Sequence, residues 1–104
     1  MPVLEKALQK SVVAYARALG CVAIKLTTIG RFGTSGWPDY LFIGPCARIL
    51  FHEYKARGKR PTPLQENRHQ ELRALGCIVE VIDDAHEGKA SVARWLGKPP
   101  DQQS

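Results

Sequence analysis

Apolar residues recur along the chain with two different periods, and the change of period predicts where the elements lie. From residue 4 to residue 19 they come every three or four residues, which is typical of one face of a helix, and Gly20 predicts its end. The next segment, Cys21–Thr27, is rich in β-branched residues and alternates in its second half, which predicts a strand. The apolar positions at helical spacing are Leu4, Leu8, Val12, Tyr15 and Leu19.

The middle of the chain predicts a loop followed by two strands. Residues 28–36 are rich in glycine and hydroxyl residues, and such a composition is typical of a loop. Strands are predicted over Trp37–Ile43 and Arg48–Lys55, with a tight turn at Gly44-Pro45 between them. Because the connection is short, the two strands are expected to be antiparallel neighbours.

The second half of the chain predicts a helix, a strand and a final helix. A basic loop over residues 56–61 leads to Thr62-Pro63-Leu64-Gln65, which has the spacing of a capping box, and this helix is expected to end at Gly76. Cys77–Ile82 predicts a fourth strand, and Asp83 or Asp84 is expected to cap a last helix that ends near Gly97.

The predicted order α-β-β-β-α-β-α is that of an α/β protein with a mixed four-stranded sheet flanked by helices. The third and fourth strands are joined through a helix, so they are expected to be parallel with a right-handed crossover. We expect a single domain over residues 1–97 and a disordered polar tail over residues 98–104.

Composition narrows the class of protein. The 104 residues suffice for one domain, and the net charge of +5 favours a polyanionic partner. Three cysteines without a close pair indicate neither a disulfide framework nor a zinc site, and they predict buried free thiols in a reducing compartment. No apolar stretch approaches the length of a membrane span, and the N-terminus lacks the pattern of a signal peptide, so we expect a cytoplasmic protein.

Two carboxylates and a lysine follow the central strands in a pattern that suggests phosphodiester chemistry. Alternation along a strand places Glu53 and Lys55 on the same face, and Asp39 shares the corresponding face of the preceding strand. If both faces point to the same side, Asp39 and Glu53 converge at neighbouring strand ends. Two carboxylates close together repel, and a bound cation is the low-cost way to keep both ionised.

Oxygen ligands of this kind suit Mg²⁺ or Mn²⁺, with a backbone carbonyl, assigned to Tyr54, and waters completing the coordination. Lys55 is then expected to orient a water or to stabilise negative charge in the transition state. The alternative is that Asp39 simply begins a strand and that Glu53 and Lys55 form a solvated ion pair at its edge. Two features weigh against it: the strand before Glu53 is otherwise apolar, and Pro38-Asp39 precedes it by one hairpin.

Four linked motifs resemble those of the VRR-NUC family within the PD-(D/E)xK nuclease superfamily, whose small stand-alone members occur in bacterial viruses. The family pattern of a first-helix glutamate, G-x-P-D, E-x-K and a glutamine on the following helix is similar to this chain over residues 3 to about 83. The only modest departure is His52, where an aliphatic residue is common. The matching positions are Glu5, Gly36 to Asp39, Glu53, Lys55 and Gln65.

The resemblance implies a restriction-endonuclease-like core and a metal-dependent nuclease. It implies that Glu5, Asp39, Glu53 and Tyr54 hold the metal and that Asp39, Glu53, Lys55 and Gln65 carry the catalysis. The residues themselves leave alternatives open for two of these. Glu5 is equally a first-turn acid favoured by the helix dipole, and Gln65 equally a capping residue whose side chain bonds back to Thr62. For Gln65 the two roles are expected to exclude each other.

The basic residues Arg31, Arg57, Lys59 and Arg60 flank this site in the sequence, and they are predicted to contact nucleic-acid phosphates. The alternative for each is a solvated loop. His52, His69 and His86 show no ligand or nucleophile spacing, so they are expected to be structural or surface residues. Trp37 is expected to pack beneath the bend at Pro38, with stacking on a base as the alternative.

Three functions are consistent with these features. The first is a Mg²⁺- or Mn²⁺-dependent endodeoxyribonuclease; the resemblance extends to junction-resolving enzymes, and branched or four-way DNA is the substrate class it suggests. The second is a nucleic-acid-binding module with an inactive site, and the third is a basic scaffold protein. No small-molecule cofactor or membrane is expected. A homodimer is expected, with Val92 and Trp95 on the terminal helix or Tyr15 on the first helix at the contact. The alternative for Trp95 is that it seals the last helix onto the sheet.

Overall fold

The computed structural model describes residues 3–26 and 36–98, and these form the predicted order of elements. None of the helices in these two ranges has the length and apolar character of a membrane span. The elements are helix α1 (Val3–Ala18), strands β1 (Val22–Lys25), β2 (Tyr40–Ile43) and β3 (Ile49–Tyr54), helix α2 (Pro63–Ala74), strand β4 (Ile78–Ile82) and helix α3 (Ala85–Trp95).

The four strands form one mixed sheet in the order β1-β2-β3-β4. The pairs β1–β2 and β2–β3 are antiparallel and β3–β4 is parallel, so the predicted α/β fold class and strand directions are confirmed. In the central register Tyr40 lies opposite His52 and Phe51 opposite Val79.

The sheet separates two apolar clusters. On one face, buried residues of α1 and α3 pack against the larger cluster, which includes Phe42, Leu50 and Tyr54. On the other face, Leu72 of α2 packs against Phe51 and Val79 in a smaller cluster. The helices therefore cover both faces, and the strand ends that carry Asp39 and Glu53 lie between these layers.

The predicted helix ends and caps are found in the structure, and one strand begins later than predicted. Gly20 has a φ of +91°, the left-handed conformation expected after α1, and Asp84 rather than Asp83 caps α3, since its side chain accepts a hydrogen bond from the Glu87 N–H. The strand predicted from Trp37 begins only at Tyr40. The proline at position 38 has no N–H to donate to a ladder, which accounts for the late start.

The connection between β2 and β3 is longer than the tight turn predicted at Gly44-Pro45. A 3₁₀ turn over Pro45–Ala47 follows Gly44, and Cys46 within it has a φ of 60°. The side chain of Cys46 is exposed, so the prediction of three buried thiols is wrong for this residue; Cys21 is buried and Cys77 is partly buried. A short surface connection has no core on either side in which to bury a thiol.

The terminal helix does not present the apolar surface predicted for a dimer contact. Val92 has no exposed surface, because it points into the larger cluster, so its prediction as an exposed anchor is wrong. Trp95 is partly buried against the same cluster, and a Cβ on Gly44 would lie 2.9 Å from its ring. Trp95 therefore seals α3 onto the sheet, which was the alternative expected for it.

Two predictions fall outside the described residues. The loop over residues 28–36 is described only at Gly36, so Arg31 and its predicted phosphate contact lie outside. The tail predicted over residues 98–104 is described only at Lys98.

Candidate active site

The candidate site is at the neighbouring ends of β2 and β3. Tyr40 pairs with His52, so continuing the antiparallel register by one residue sets Asp39 opposite Glu53 on the same face. Asp39 is 8% exposed, and its Oδ2 accepts a hydrogen bond of 2.7 Å from the Tyr54 N–H. The backbone of β3 thus holds one carboxylate beside the other.

Glu53 is 1% exposed and its two oxygens face different partners. Oε2 accepts a hydrogen bond of 3.3 Å from the Gln65 side-chain amide and lies 3.9 Å from the Lys55 ammonium. Oε1 lies 3.4 Å from Nε2 of His69. A carboxylate removed from water in this way depends on neighbouring polar groups to stabilise it.

The surroundings of Glu53 favour its neutral form. Burial is the largest cause that raises the pKa of Glu53, to about 8, and the charge of Asp39 is the next. A hydrogen bond with Asp39 and the charge of Glu5 raise this pKa further, while the Lys55 ammonium lowers it. Two carboxyl groups beside one lysine have an excess of negative charge when both are ionised, and a neighbouring cation would favour that ionised state.

One Gln65 side chain both caps α2 and contacts Glu53, and its role in catalysis stays a prediction. Its Oε1 accepts a hydrogen bond of 2.9 Å from the Thr62 N–H, which completes the capping box at the start of α2. Its amide nitrogen donates to Glu53 at 3.3 Å. A side-chain amide carries an acceptor and a donor on opposite arms, so one residue caps the helix and reaches the site.

His69 is a site residue that the sequence reasoning missed. It is 1% exposed and contacts Glu53, and burial, followed by the charge of Arg73, holds the pKa of its imidazole below the usual value. His69 was expected to be a structural or surface residue, and this expectation did not include its contact with Glu53. The signal that would have found it is its position four residues after Gln65, which places both side chains on one face of α2.

The segment before Asp39 is packed tightly against the start of α2. Gly36 has a φ of +83°, and a Cβ there would lie 2.6 Å from the carbonyl oxygen of Leu64. Only glycine allows this approach, which explains the first position of the Gly-x-Pro-Asp string. Trp37 then packs on Phe51 with ring centroids 6.4 Å apart, and the Arg68 guanidinium lies 5.0 Å from its ring, so Trp37 has the packing role expected of it.

A buried chain of hydrogen bonds supports Tyr54 on the opposite face of β3. The Ser91 hydroxyl donates to Glu80 at 2.6 Å, so its oxygen is free to accept from His52 Nε2 at 2.8 Å. His52 Nδ1 then accepts from the Tyr54 hydroxyl at 2.9 Å. Burial lowers the pKa of His52 to about 3, so this imidazole is neutral and structural, as expected. The chain stabilises the residue whose N–H holds Asp39.

Glu5 lies on α1 and is half-buried, and its charge reaches Glu53 without a direct contact. Within the ranges 3–26 and 36–98, no three His, Cys, Asp or Glu side chains come together as a metal cage. The structure thus pairs Asp39 with Glu53 but does not gather Glu5 into the same cluster. Two carboxylates completed by water remain a normal environment for Mg²⁺.

The basic loop after β3 lies at the same end of the sheet as the site. Arg57 forms an ion pair of 3.1 Å with Asp84, while Lys59 and Arg60 are exposed. His86 is also exposed, as expected.

Comparison with known proteins places this chain beside a viral relative. No family model matches the chain. A search of curated proteins finds "Putative nuclease p44" of Acyrthosiphon pisum secondary endosymbiont phage 1, which is 40% identical over 79 residues, or 76% of this chain and 82% of the relative.

Two solved structures are also similar. One, described as a VRR_NUC domain, has a TM-score of 0.75 and 30% identity, and the match covers 92% of this chain and 97% of that one. The second, a VRR_NUC domain protein, has a TM-score of 0.71 at 18% identity over 93% of this chain and 91% of that one, and it shows the likeness of fold.

Proposed function

The chain belongs to the VRR-NUC family and is a nuclease, and from this premise we propose that it is a Mg²⁺- or Mn²⁺-dependent endonuclease that hydrolyses phosphodiester bonds of DNA. The observation that carries the proposal is the buried pair Asp39 and Glu53, held side by side with Lys55 as the nearest ammonium. The cytoplasm of a bacterial or phage-infected cell is the compartment we propose for it.

The residues present fit a divalent ion. Asp39 and Glu53 supply two carboxylates, and the Tyr54 carbonyl is the proposed backbone ligand; Glu5 on α1 is proposed to complete the site from the opposite side, since its charge is felt at Glu53. When bound, such an ion polarises a phosphoryl oxygen and makes a water more acidic. Ionisation of both carboxylates is then favoured, because the ion supplies the missing positive charge.

The remaining residues of the site are proposed to position the reacting groups and to stabilise negative charge. Lys55, whose ammonium is 3.9 Å from Glu53, is proposed to hold the attacking water or to stabilise the charge that develops on the phosphate. Gln65 and His69 each contact one oxygen of Glu53, so together they fix the plane of its carboxyl group. Arg57, Lys59 and Arg60 are proposed to contact phosphates beyond the site, Arg57 after release from Asp84.

The experiment that tests the proposal is incubation with linear, nicked, flapped and four-way DNA, with Mg²⁺, with Mn²⁺ and with EDTA. We expect cleavage only with metal, and faster cleavage of the flapped or four-way substrates than of the linear duplex. Metal-independent DNA binding without cleavage of any substrate would favour the inactive binding module instead. Equal rates on all four substrates would contradict the preference for branched DNA and leave the nuclease assignment in place.

We further propose that the protein acts as a homodimer, because coordinated cleavage of two strands needs two active sites. Because Val92 is buried, exposed apolar side chains on the α2 side of the sheet are better candidates for the dimer contact than the terminal helix. Val22, Ile24 and Ile49 share this face through the strand register and are 57%, 38% and 42% exposed. The outer face of α1 at Tyr15, which is half-buried, is the other candidate.

Sedimentation at micromolar concentration checks the assembly. We expect twice the mass of 11.5 kDa for the wild type and a monomer for Ile24→Lys, since a lysine on this face resists burial. Leu75→Lys, at an 81% exposed position after α2, is the matched control and should remain dimeric. A wild-type mass of one chain with DNA and metal present would contradict the dimer.

A further inference from the structure

A row of basic side chains follows the length of α1 beside an open groove. The groove has a volume of about 610 Å³, and Lys6, Lys10 and Arg17 line it. At about 100° per residue, Lys10 and Arg17 are about 40° and 20° around the helix from Lys6, so all three share one narrow stripe. We call these three residues the basic stripe.

The charges of the basic stripe are not neutralised by neighbouring carboxylates. Among the described residues no Asp or Glu oxygen lies within 4.0 Å of these three side chains, and Arg17 donates to the carbonyl of Ala23 instead. In contrast, Arg68 pairs with Glu71 and Arg94 with Glu80. The basic stripe therefore carries positive charge that no ion pair within the described ranges compensates, and it contributes to the net charge of +5.

Apart from the basic stripe and Gln9, the residues that line the groove are small or apolar. Ala7 and Ala14 line it next to the stripe, and such small side chains leave room for a bulky backbone. Gln9 also lines the groove; it is 8% exposed and its Oε1 has no hydrogen-bond partner among the described residues. This oxygen loses no hydrogen bond if the amide turns to present its NH₂ group to an acceptor.

The N-terminal end of the basic stripe lies toward the candidate active site. Glu5, whose charge reaches Glu53, directly precedes Lys6, and Ala7 lines both this groove and a second one that Lys55 also lines. Lys25 pairs with Tyr40 across the sheet, so it adds a further exposed cation on the strand side of the groove. From Lys6 to Arg17 the helix rises about 16 Å, which equals about five base pairs of DNA at about 3.4 Å each.

We propose that the groove along α1 is the track on which the DNA backbone lies as it leaves the catalytic centre, with phosphates on Lys6, Lys10 and Arg17 and the Gln9 amide on the same strand. The choice of DNA as the ligand rests on the proposed function. The basic stripe increases the affinity for DNA and sets the direction in which the DNA lies, because phosphate contacts position a protein on nucleic acid without reading its sequence.

The test is DNA binding by the full chain in EDTA, measured by fluorescence anisotropy with a blunt duplex longer than the stripe, between about 50 and 200 mM salt. Lys6→Gln with Lys10→Gln should lower the affinity by about tenfold and reduce the slope of log K against log salt by about two. Arg17→Gln should reduce the slope by about one. The matched control, Lys89→Gln with Lys98→Gln, removes the same charge from α3 and the chain after it, neither of which lines the groove, and should change the slope little.

A slope unchanged in the α1 variants, or a loss equal to that of the control, would overturn the proposal. So would a loss confined to Lys59→Gln with Arg60→Gln, which would place the DNA on the basic loop. Circular dichroism should show the α1 variants folded, since the side chains of the basic stripe are exposed. Because binding is measured without metal, a wild type that binds along the stripe and cleaves nothing would refute the proposed endonuclease and leave the track standing.

Discussion

Asp39→Asn and Glu53→Gln are each expected to reduce DNA cleavage by about 10²–10³-fold or more, with the fold intact. The asparagine side chain retains an oxygen that can accept from the Tyr54 N–H, which lies 2.7 Å from Oδ2 of Asp39 in the wild type, so the strand ends should stay in place. The glutamine side chain has nearly the volume of the glutamate it replaces and retains an oxygen for the Gln65 amide. What each variant loses is the negative charge, which is the property that a divalent cation requires.

Single-turnover cleavage in Mg²⁺ and in Mn²⁺ measures this effect, with DNA binding in EDTA as the check that the substrate is still bound. Glu87→Gln is the matched control, since it removes an exposed carboxylate on α3 and should cleave at the wild-type rate. If the Asp39 and Glu53 variants cleaved as fast as the control, the assignment of the site would be wrong.

His69→Asn and His69→Ala separate positioning from packing within the same assay. The asparagine keeps a donor near Glu53 Oε1, which His69 contacts at 3.4 Å, whereas the alanine removes it. We expect the alanine to lower the maximal rate more than the asparagine and to leave the affinity for DNA unchanged. A purely structural role would lower the thermal stability of both variants and spare the rate of the folded fraction.

In EDTA, the protein is expected to lose stability as the pH rises from about 6.5 to about 8, which is the reverse of ordinary acid denaturation. The pKa of Glu53 is raised to about 8 in the folded state, and in the unfolded chain it returns to about 4.5. Between these values the folded protein binds the extra proton, so the free energy of unfolding falls as the pH rises, by at most about 1.4 kcal/mol per pH unit. This contribution is fully present below about pH 4.5 and is lost as the pH passes about 8.

Histidines oppose this trend only at lower pH. Burial lowers the pKa of His52 to about 3 and also lowers that of His69, so below about 6.5 the unfolded state binds the additional protons and acid destabilises the fold. The metal-free protein should therefore be most stable near pH 6.5, because acid destabilises it below this pH and ionisation of Glu53 destabilises it above. Thermal melts from about pH 5 to 9 check the prediction.

Glu53→Gln isolates the group responsible, because a glutamine cannot ionise. In EDTA at pH 8 this variant should melt at a higher temperature than the wild type, and its stability should not fall between about pH 6.5 and 8. Added Mg²⁺ or Mn²⁺ should restore the wild type at pH 8 and should have little effect on Glu53→Gln. A wild type whose melting temperature rises with pH in EDTA would contradict the buried, proton-retaining Glu53.

Most of the site could be predicted from the chain because its parts are short and local. Pro38-Asp39 and Glu53 to Lys55 lie at the ends of two neighbouring strands, and the face of each side chain follows from alternation along its strand. The capping box at Thr62 and the left-handed glycine after α1 are likewise decided within a few residues.

The contacts between elements could not be predicted in the same way. His69 enters the site only because α2 packs across β3, and the same packing lets one Gln65 side chain bond to both Thr62 and Glu53. A sequence shows which side chains share a helix face but not which strand that face will meet. For this reason the contact of the capping residue Gln65 with Glu53 was not expected.

Local signals in the chain are enough to predict the order of elements, the ends of the helices and the strand faces that carry Asp39, Glu53 and Lys55. These depend on backbone conformation and on periodicities of two and 3.6 residues, which act over a few positions. Three features depend on the packing of the whole chain: Val92 is buried while Val22 and Ile24 are exposed, burial and Asp39 raise the pKa of Glu53, and the basic stripe of α1 lines a groove. Burial and electrostatic coupling depend on what lies across the space between elements, and packing distant parts of the chain together sets that arrangement.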